Sequence, residues 1–224
     1  MKQQTTPAII LRRTNYGEAD RIVTFLTPIG KIRAIVKGVR RSKSKLAGGI
    51  ELFSESTITF LDTRGSLARI ISTRLETHWD PIVGDLQRMM FGYETMKMLD
   101  IIVEDEAGRE YFDLLRATLD ALADLELPLT ALEIWFFMRL LKLQGKEPNL
   151  ATDSSGVVLK PDNLYTFSTE SMSFSNSAVG TFTPDHVKLL RLTQSHAPKL
   201  LKQVKNVQVI SEQLKPLIQQ LNTL

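Results

Sequence analysis

Between residues 8 and 77 the apolar positions alternate with polar ones or gather into short runs, as in strands whose successive side chains point to opposite faces. Such stretches fall at residues 8–13, 20–27, 31–39, 56–61 and 67–77. Turn-forming sequences separate them: Asn15-Tyr16-Gly17, Pro28-Ile29-Gly30, Gly48-Gly49 and Thr63-Arg64-Gly65. After Trp79-Asp80-Pro81 the period lengthens. Ile82, Leu86, Met89, Met90, Tyr93, Met96, Met98 and Leu99 recur at helical spacing. A second helix is expected over about residues 108–125, through Tyr111, Leu114, Leu115, Leu119 and Leu122. A third begins at a capping box of Thr130 and Glu133 and is apolar nearly all round over 134–143. A helix of that kind belongs at the buried centre of a helical domain.

Residues 145–182 lose this period and are rich in Ser, Thr, Asn and Gly, with at most a hairpin around 165–167 and 172–174. Helix resumes at Thr183-Pro184-Asp185, a cap followed by proline at the first helical position. A last helix passes through Ile210, Leu214, Leu217, Ile218 and Leu221, and Pro216 is expected to bend it. The predicted class is therefore α+β. An N-terminal five-stranded barrel of the oligonucleotide/oligosaccharide-binding (OB) type spans 1–80, and a mainly α-helical domain spans 81–224 with an irregular insert at 145–182. An SH3-like barrel fits the strand spacing nearly as well.

Composition narrows the function. The chain is 43% hydrophobic and 24% charged, the mix of a folded protein, and each half can bury a core. It has no cysteine, which excludes disulfides, thiolate zinc sites and cysteine nucleophiles and suits a reducing cytoplasm. The apolar run at 8–11 is shorter than the roughly 7–15 residues of a secretory signal. The longest apolar segment is interrupted by Arg139 and Lys142 and falls short of the ~20 residues that span a bilayer. A soluble, cytoplasmic protein without a membrane partner is expected.

The net charge of +3 hides an asymmetry. Residues 1–80 carry 14 basic and 7 acidic side chains, whereas residues 81–224 carry 14 basic and 18 acidic ones. From residue 21 to residue 50 there are eight basic residues and no acidic one. In the strand beginning at Gly30, period two puts Ile32, Ala34 and Val36 on one face and Lys31, Arg33 and Lys37 on the other. The strand leads into Val39-Arg40-Arg41-Ser42-Lys43-Ser44-Lys45, which adds four cations and two hydroxyls. An array of Lys31, Arg33, Lys37, Arg40, Arg41, Lys43 and Lys45 suits a polyanion, because each neutralised phosphate releases counterions. A solvated charge run is the plain alternative. Phe25 and Phe60 are expected in the core, whereas Tyr16 and Phe53 are candidates for base stacking.

Signatures of catalysis are missing. Gly38 and Gly48-Gly49 lack the spacing and trailing Lys-Ser/Thr of a phosphate loop. His78, His186 and His196 share no metal-ligand spacing and read as surface residues, so neither metal nor cofactor is expected. Glu104-Asp105-Glu106 reads as an acidic link between helices. A second, weaker basic patch comprises Lys188, Arg191, Lys199 and Lys202, with Lys205 nearby. It could receive an acidic peptide.

These segments together are similar to a known family. The opening Ala8-Ile9-Ile10-Leu11-Arg12-Arg13-Thr14-Asn15-Tyr16-Gly17-Glu18-Ala19-Asp20-Arg21 resembles the start of the bacterial recombination mediators of the RecO family. So do Leu26-Thr27-Pro28-Ile29-Gly30-Lys31 and Val36-Lys37-Gly38-Val39-Arg40-Arg41-Ser42-Lys43-Ser44. The likeness extends more loosely to Leu140-Leu141-Lys142-Leu143-Gln144-Gly145-Lys146-Glu147-Pro148-Asn149-Leu150. The resemblance implies an OB barrel with a helical C-terminal domain and a non-catalytic protein that binds single- and double-stranded DNA. It further implies annealing of complementary strands and assistance to RecA loading, together with RecR and the acidic C-terminal tail of single-strand-binding protein, near the bacterial nucleoid. Many members carry a four-cysteine zinc cluster where this chain reads Ala151-Thr152-Asp153-Ser154-Ser155-Gly156. A zinc-free insert must be held by hydrogen bonds and hairpin packing, or be left mobile. An RNA-binding OB module of translation or RNA handling, and a scaffold for acidic protein tails, are the rival readings.

Overall fold

In the computed structural model, which describes residues 2–63, 67–106 and 108–221, five strands close into a barrel. They are β1 (Lys2–Tyr16), β2 (Asp20–Thr27), β3 (Gly30–Val36), β4 (Ser54–Asp62) and β5 (Ala68–His78). Their order is β1-β2-β3-β5-β4, with antiparallel neighbours except for β3 and β5. That pair runs parallel, matching Ala34 with Ala68 and Ile35 with Arg69, and completes the closure. This is the OB arrangement, and it excludes the SH3-like alternative. β1 starts earlier than its hydrophobic pattern indicates because Lys2 to Ile9 form a ladder with β4 through Asp62 to Glu55. An irregularity between Ile10 and Arg12 then lets the same strand pair with β2.

Ile10, Val23, Phe25, Ala34, Val36, Ile58, Phe60 and Ile70 fill the barrel, so Phe25 and Phe60 are core residues as expected. Ile9, Leu11 and Leu26 alternate with this set and are nevertheless buried. Helices supply the cover: α1 (Asp80–Val83), α2 (Leu86–Ile102) and α3 (Arg109–Leu122), with α2 packed on β1 and α3 on β2. Asp85 caps α2, its carboxylate accepting the amides of Gln87 and Arg88 at 3.0 and 3.1 Å. The change from strand to helix falls near residue 80, but these helices belong with the barrel. The chain divides into compact units at Met1–Ala123 and Asp124–Leu224.

Backbone contact joins helices to barrel inside the first unit. Thr27 Oγ1 donates to the carbonyl of Gly30 at 2.6 Å and accepts the amide of Ile29 at 3.2 Å, fixing the β2–β3 turn. The Lys31 amide donates to the Asp105 carbonyl at 2.9 Å, and Lys31 Nζ donates to the Asp100 carbonyl at 2.9 Å. Asp100 also pairs through its carboxylate with Arg12 at 3.0 Å. A Cβ on Gly30 would overlap the Asp105 carbonyl oxygen, and one on Gly108 would overlap the Gly30 amide nitrogen. Gly30 moreover holds φ at +122°. Beside α3, Glu55 is buried and pairs with Arg116 at 3.0 Å; burial pushes its carboxyl above the ordinary range, partly offset by Arg116.

The second unit is built around α4 (Leu129–Leu143), buried along most of its length as its sequence predicts, with α5 (Pro184–Ser195) and α6 (Val207–Leu221) packed on it. The capping box expected at Thr130 does not form. Pro128 occupies the N-cap, so Thr130 lies inside the first turn and donates to Glu212 at 2.6 Å. A capping box does form at α5, where His186 Nδ1 accepts the Thr183 amide at 2.9 Å. His186 is therefore no surface histidine: it is 4% exposed and its Nε2 lies 2.9 Å from Gln213 Oε1. Pro216 lies within α6, whose helical run continues past it to Leu221.

The insert forms a small sheet, β6 (Asn149–Asp153), β7 (Tyr165–Ser168) and β8 (Ser173–Asn176), in the order β6-β8-β7. The β7–β8 hairpin matches expectation; the parallel strand β6 adds to it. Asn149 and Asp153 carboxamide and carboxylate oxygens accept the amides of Ala151, Ser155 and Val157, each at 2.9 Å. Tyr165 hydroxyl accepts the Lys160 amide at 2.6 Å and donates to its carbonyl at 3.0 Å. Phe174 meets Tyr165, Phe167 and Phe182 edge-on, with ring centroids 5.0–6.2 Å apart. Among the described residues no three His, Cys, Asp or Glu cluster to hold a metal, so the residues here do not fit the zinc group of the resemblance. No described helix is long and apolar enough to cross a membrane.

The turn-to-turn contact is testable by adding one methyl group. Gly30→Ala and Gly108→Ala should each destabilise the protein by about 2–3 kcal/mol in thermal or urea unfolding. Gly48→Ala, whose Cβ meets open space, should stay within about 1 kcal/mol of the parent. Equal stability of all three variants would remove the clasp from the fold's requirements.

Candidate nucleic-acid interface

Strand β3 behaves as its period indicates. Ala34 and Val36 enter the core, Ile32 is partly buried against it, and Arg33 and Lys37 are exposed. Lys31 differs from the others, because its ammonium is held on the Asp100 carbonyl and it is half-buried. The basic segment after β3 is an ordered sequence of turns. Gly38 donates its amide to Asp20 Oδ1 at 2.7 Å, and the Arg40 amide donates to the Ala19 carbonyl at 2.9 Å. Arg41 and Ser44 amides donate back to the carbonyls of Gly38 and Arg41, at 3.2 and 3.0 Å.

Apolar anchors hold this loop to the barrel. Val39 is buried in the barrel cluster, while Leu46 and Ala47 pack against it. The cations consequently point outward from a fixed backbone: Arg40, Arg41, Lys43 and Lys45 are all exposed. Arg40 Nη1 also donates to the Gly17 carbonyl at 3.2 Å, tying the loop to the β1–β2 turn. Arg33, Lys37, Arg41, Lys43 and Lys45 have no ion-pair partner among the described residues. Such outward, unpaired cations can each meet a phosphate without first breaking an internal ion pair.

The sheet adds one residue that sequence order conceals. Arg69 is exposed on β5 opposite Ile35, so the parallel β3–β5 pairing places it beside the strand that carries Arg33. Three further cations of this half are engaged: Arg12 with Asp100, Arg13 with Glu51 at 2.6 Å, and Arg21 with Asn15 at 3.1 Å. Of the aromatic candidates, Tyr16 is exposed. Phe53 is not available for stacking on bases: it is 2% exposed and its ring meets Tyr93 edge-on at 5.0 Å.

In the second unit the four weaker candidates do not all come together; Lys188 and Arg191 line one small pocket with Lys160. Lys188 pairs with Asp185 at 2.9 Å, and Arg191 donates twice to the Leu150 carbonyl at 2.8 and 2.5 Å. Lys202 binds Asp124 at 3.0 Å and Glu126 at 2.7 Å, and these hydrogen bonds hold its ammonium above the usual lysine range. Lys199 is exposed. A cavity of about 350 Å³ does lie between α5 and the segment leading into α6, lined by Lys188, Leu189, Leu192, Val204, Lys205 and Ile210, with Asp185 at its edge. Only Lys188 of the four lines it, and Lys205 is its second cation.

The fold and this surface define a class: a closed OB-type barrel with a cationic strand and loop, followed by a helical unit. Comparison with known families agrees in both parts. Residues 1–77 match the family described as Recombination protein O N terminal, and residues 83–221 match Recombination protein O C terminal. The chain belongs to the RecO family. It is 38% identical over 149 residues to a DNA repair protein RecO from Roseiflexus sp. (strain RS-1), covering 65% of this chain and 51% of that protein. A Desulfatibacillum aliphaticivorans RecO is 33% identical over 154 residues, covering 67% and 60% respectively. The Dehalococcoides mccartyi RecO is 30% identical over 215 residues, or 92% of this chain and 78% of that one. Against the first two the chain spans only about half to three fifths of the relative's length.

Loss of the loop cations should have a defined signature. Replacing Lys37, Arg40, Arg41 and Lys43 with alanine should weaken DNA binding equally across sequences. The salt dependence should flatten by about 0.7–0.9 log units per lost phosphate contact. Lys31→Met should instead lower the melting temperature and leave the salt slope nearly unchanged. A quadruple variant with the parental slope would take this loop out of the binding surface.

Proposed function

We propose that this chain is a non-catalytic DNA-binding recombination mediator of recombinational DNA repair, one that anneals complementary single strands and assists RecA loading. The observation that carries the reading is the fixed basic loop. Val39 and Leu46 anchor it, and Arg33, Lys37, Arg41, Lys43 and Lys45 face solvent without ion-pair partners among the described residues. A surface that binds backbone phosphates and leaves base edges free lets two strands meet by their own pairing. The proposed DNA-contacting set is Arg33, Lys37, Arg40, Arg41, Lys43 and Lys45, with Arg69 added and Lys31 acting through the fold. The partners proposed are single- and double-stranded DNA, RecR, the tail of single-strand-binding protein and, indirectly, RecA. The proposed location is the bacterial cytoplasm at the nucleoid.

For the acidic tail, the cavity between α5 and the segment entering α6 is the better receptor than the four dispersed cations. It offers an apolar floor of Leu189, Leu192, Val204 and Ile210, lined also by Lys205 and by Lys188, whose partner Asp185 an acidic peptide would have to displace. An apolar floor supplies affinity while the charges steer an acidic peptide.

The purified protein should accelerate annealing of complementary DNA oligonucleotides without ATP, and less so for matched RNA. An absence of acceleration at saturating protein, with DNA binding intact, would overturn the mediator reading; a preference for RNA would favour RNA handling. A fluorescent tail peptide should bind the full chain saturably, and Lys188→Ala with Lys205→Ala should weaken it about tenfold or more. Unchanged affinity in that double variant would remove the cavity as receptor.

A further inference from the structure

Helix α2 is apolar on two sides. Phe91, Met96 and Leu99 are buried on the side that packs on the barrel. The opposite side exposes Leu86 (66%), Met90 (53%), Tyr93 (44%) and Ile101 (75%). With Lys97, these residues follow one another at spacings of four, three, four and four, which aligns them along one face of a helix. A helix whose outer face is this apolar is normally covered. The charges on or beside the stripe are Glu94 and Lys97, both exposed and without an ion-pair partner among the described residues, and Asp100, which is paired with Arg12 at 3.0 Å.

We propose that this face pairs antiparallel with the same face of a second copy of the chain. The face is self-complementary about a two-fold axis at Tyr93 and Glu94. Such an axis sets Leu86 of one copy against Ile101 of the other and stacks the Met90 side chain along the Lys97 stem. It also brings each Lys97 ammonium within one helical turn of the partner's Glu94, so that both charges are neutralised reciprocally. An isologous contact of this kind closes on itself as a dimer and does not propagate. A parallel pairing would place like charges side by side. One helix pair buries less than the ~1,200–2,000 Å² of a standard interface, so the dimer is weak, with a Kd on the order of tens of micromolar. Each dimer carries two basic loops.

The test uses the full chain without nucleic acid. In sedimentation equilibrium the average mass should rise from one chain toward two as protein goes from roughly one to several hundred micromolar. Ile101→Glu, at a strongly exposed position, should remain monomeric throughout with an unchanged melting curve. Glu94→Lys should also be monomeric, and Glu94→Lys combined with Lys97→Glu should regain the parental dimer. Because the chain has no cysteine, an oxidised mixture of differently tagged Leu86→Cys and Ile101→Cys proteins should give mainly the mixed cross-link. The proposal is overturned by a parental protein that stays monomeric at several hundred micromolar. It is equally overturned by a dimer that Ile101→Glu and Glu94→Lys leave intact, or by cross-linking of Leu86→Cys chiefly to itself. None of these readings depends on DNA, so they stand or fall apart from the mediator function.

Discussion

Two turns of backbone meet so closely in the first unit that there is no space for a side chain between them. The β2–β3 turn brings Gly30 against the loop that joins α2 to α3, where Asp105 and Gly108 lie. Side chains would hold these segments apart, and the Lys31–Asp105 backbone hydrogen bond would be lost. The contact sets where α2 and α3 rest on β1 and β2, and so it decides which outer barrel face is dry. Ile9, Leu11 and Leu26 are buried on that side. It also fixes the start of β3, whose later residues carry the exposed cations. The Lys31 ammonium completes the joint by taking up the Asp100 carbonyl near the C-terminal end of α2.

This arrangement explains what the sequence could and could not convey. The strands are legible because each has one face in a core and one outside, so period two survives in Ile32, Ala34 and Val36. The early start of β1 is not, since Gln3, Gln4 and Thr5 gain their place from a ladder with β4 and bury little. Lys31 and Arg33 look alike in sequence, but the Asp100 carbonyl that separates their roles comes from a helix far along the chain. Arg69 escapes notice for the same reason: a parallel pairing between β3 and β5 leaves no local trace. Phe53 fails as a stacking residue because Tyr93, on a helix, covers it.

In the second unit the local signals compete. Thr130 and Glu133 have the spacing of a capping box, yet Pro128 can begin a helix without donating an amide and so moves the start upstream. Thr183 has no such competitor and caps α5, with His186 supplying the reciprocal acceptor usually given by Glu or Gln. The basic residues of α5 and the following turn could be counted from sequence, but not their partners. Arg191 serves the Leu150 carbonyl and Lys202 serves Asp124 and Glu126, so the four do not form one patch.

The insert holds its shape through amide hydrogen bonds to Asn149 and Asp153, the Tyr165 hydroxyl and a group of phenyl rings. All of these come from the polypeptide itself. The folded fraction of such a segment is independent of free zinc in its surroundings, whereas a thiolate-bound counterpart gains or loses stability with the logarithm of metal concentration. With no thiol to oxidise, it is likewise indifferent to the thiol redox poise that would release such an ion. Neither metal starvation nor thiol oxidation can therefore strip a thiolate-held ion from this insert.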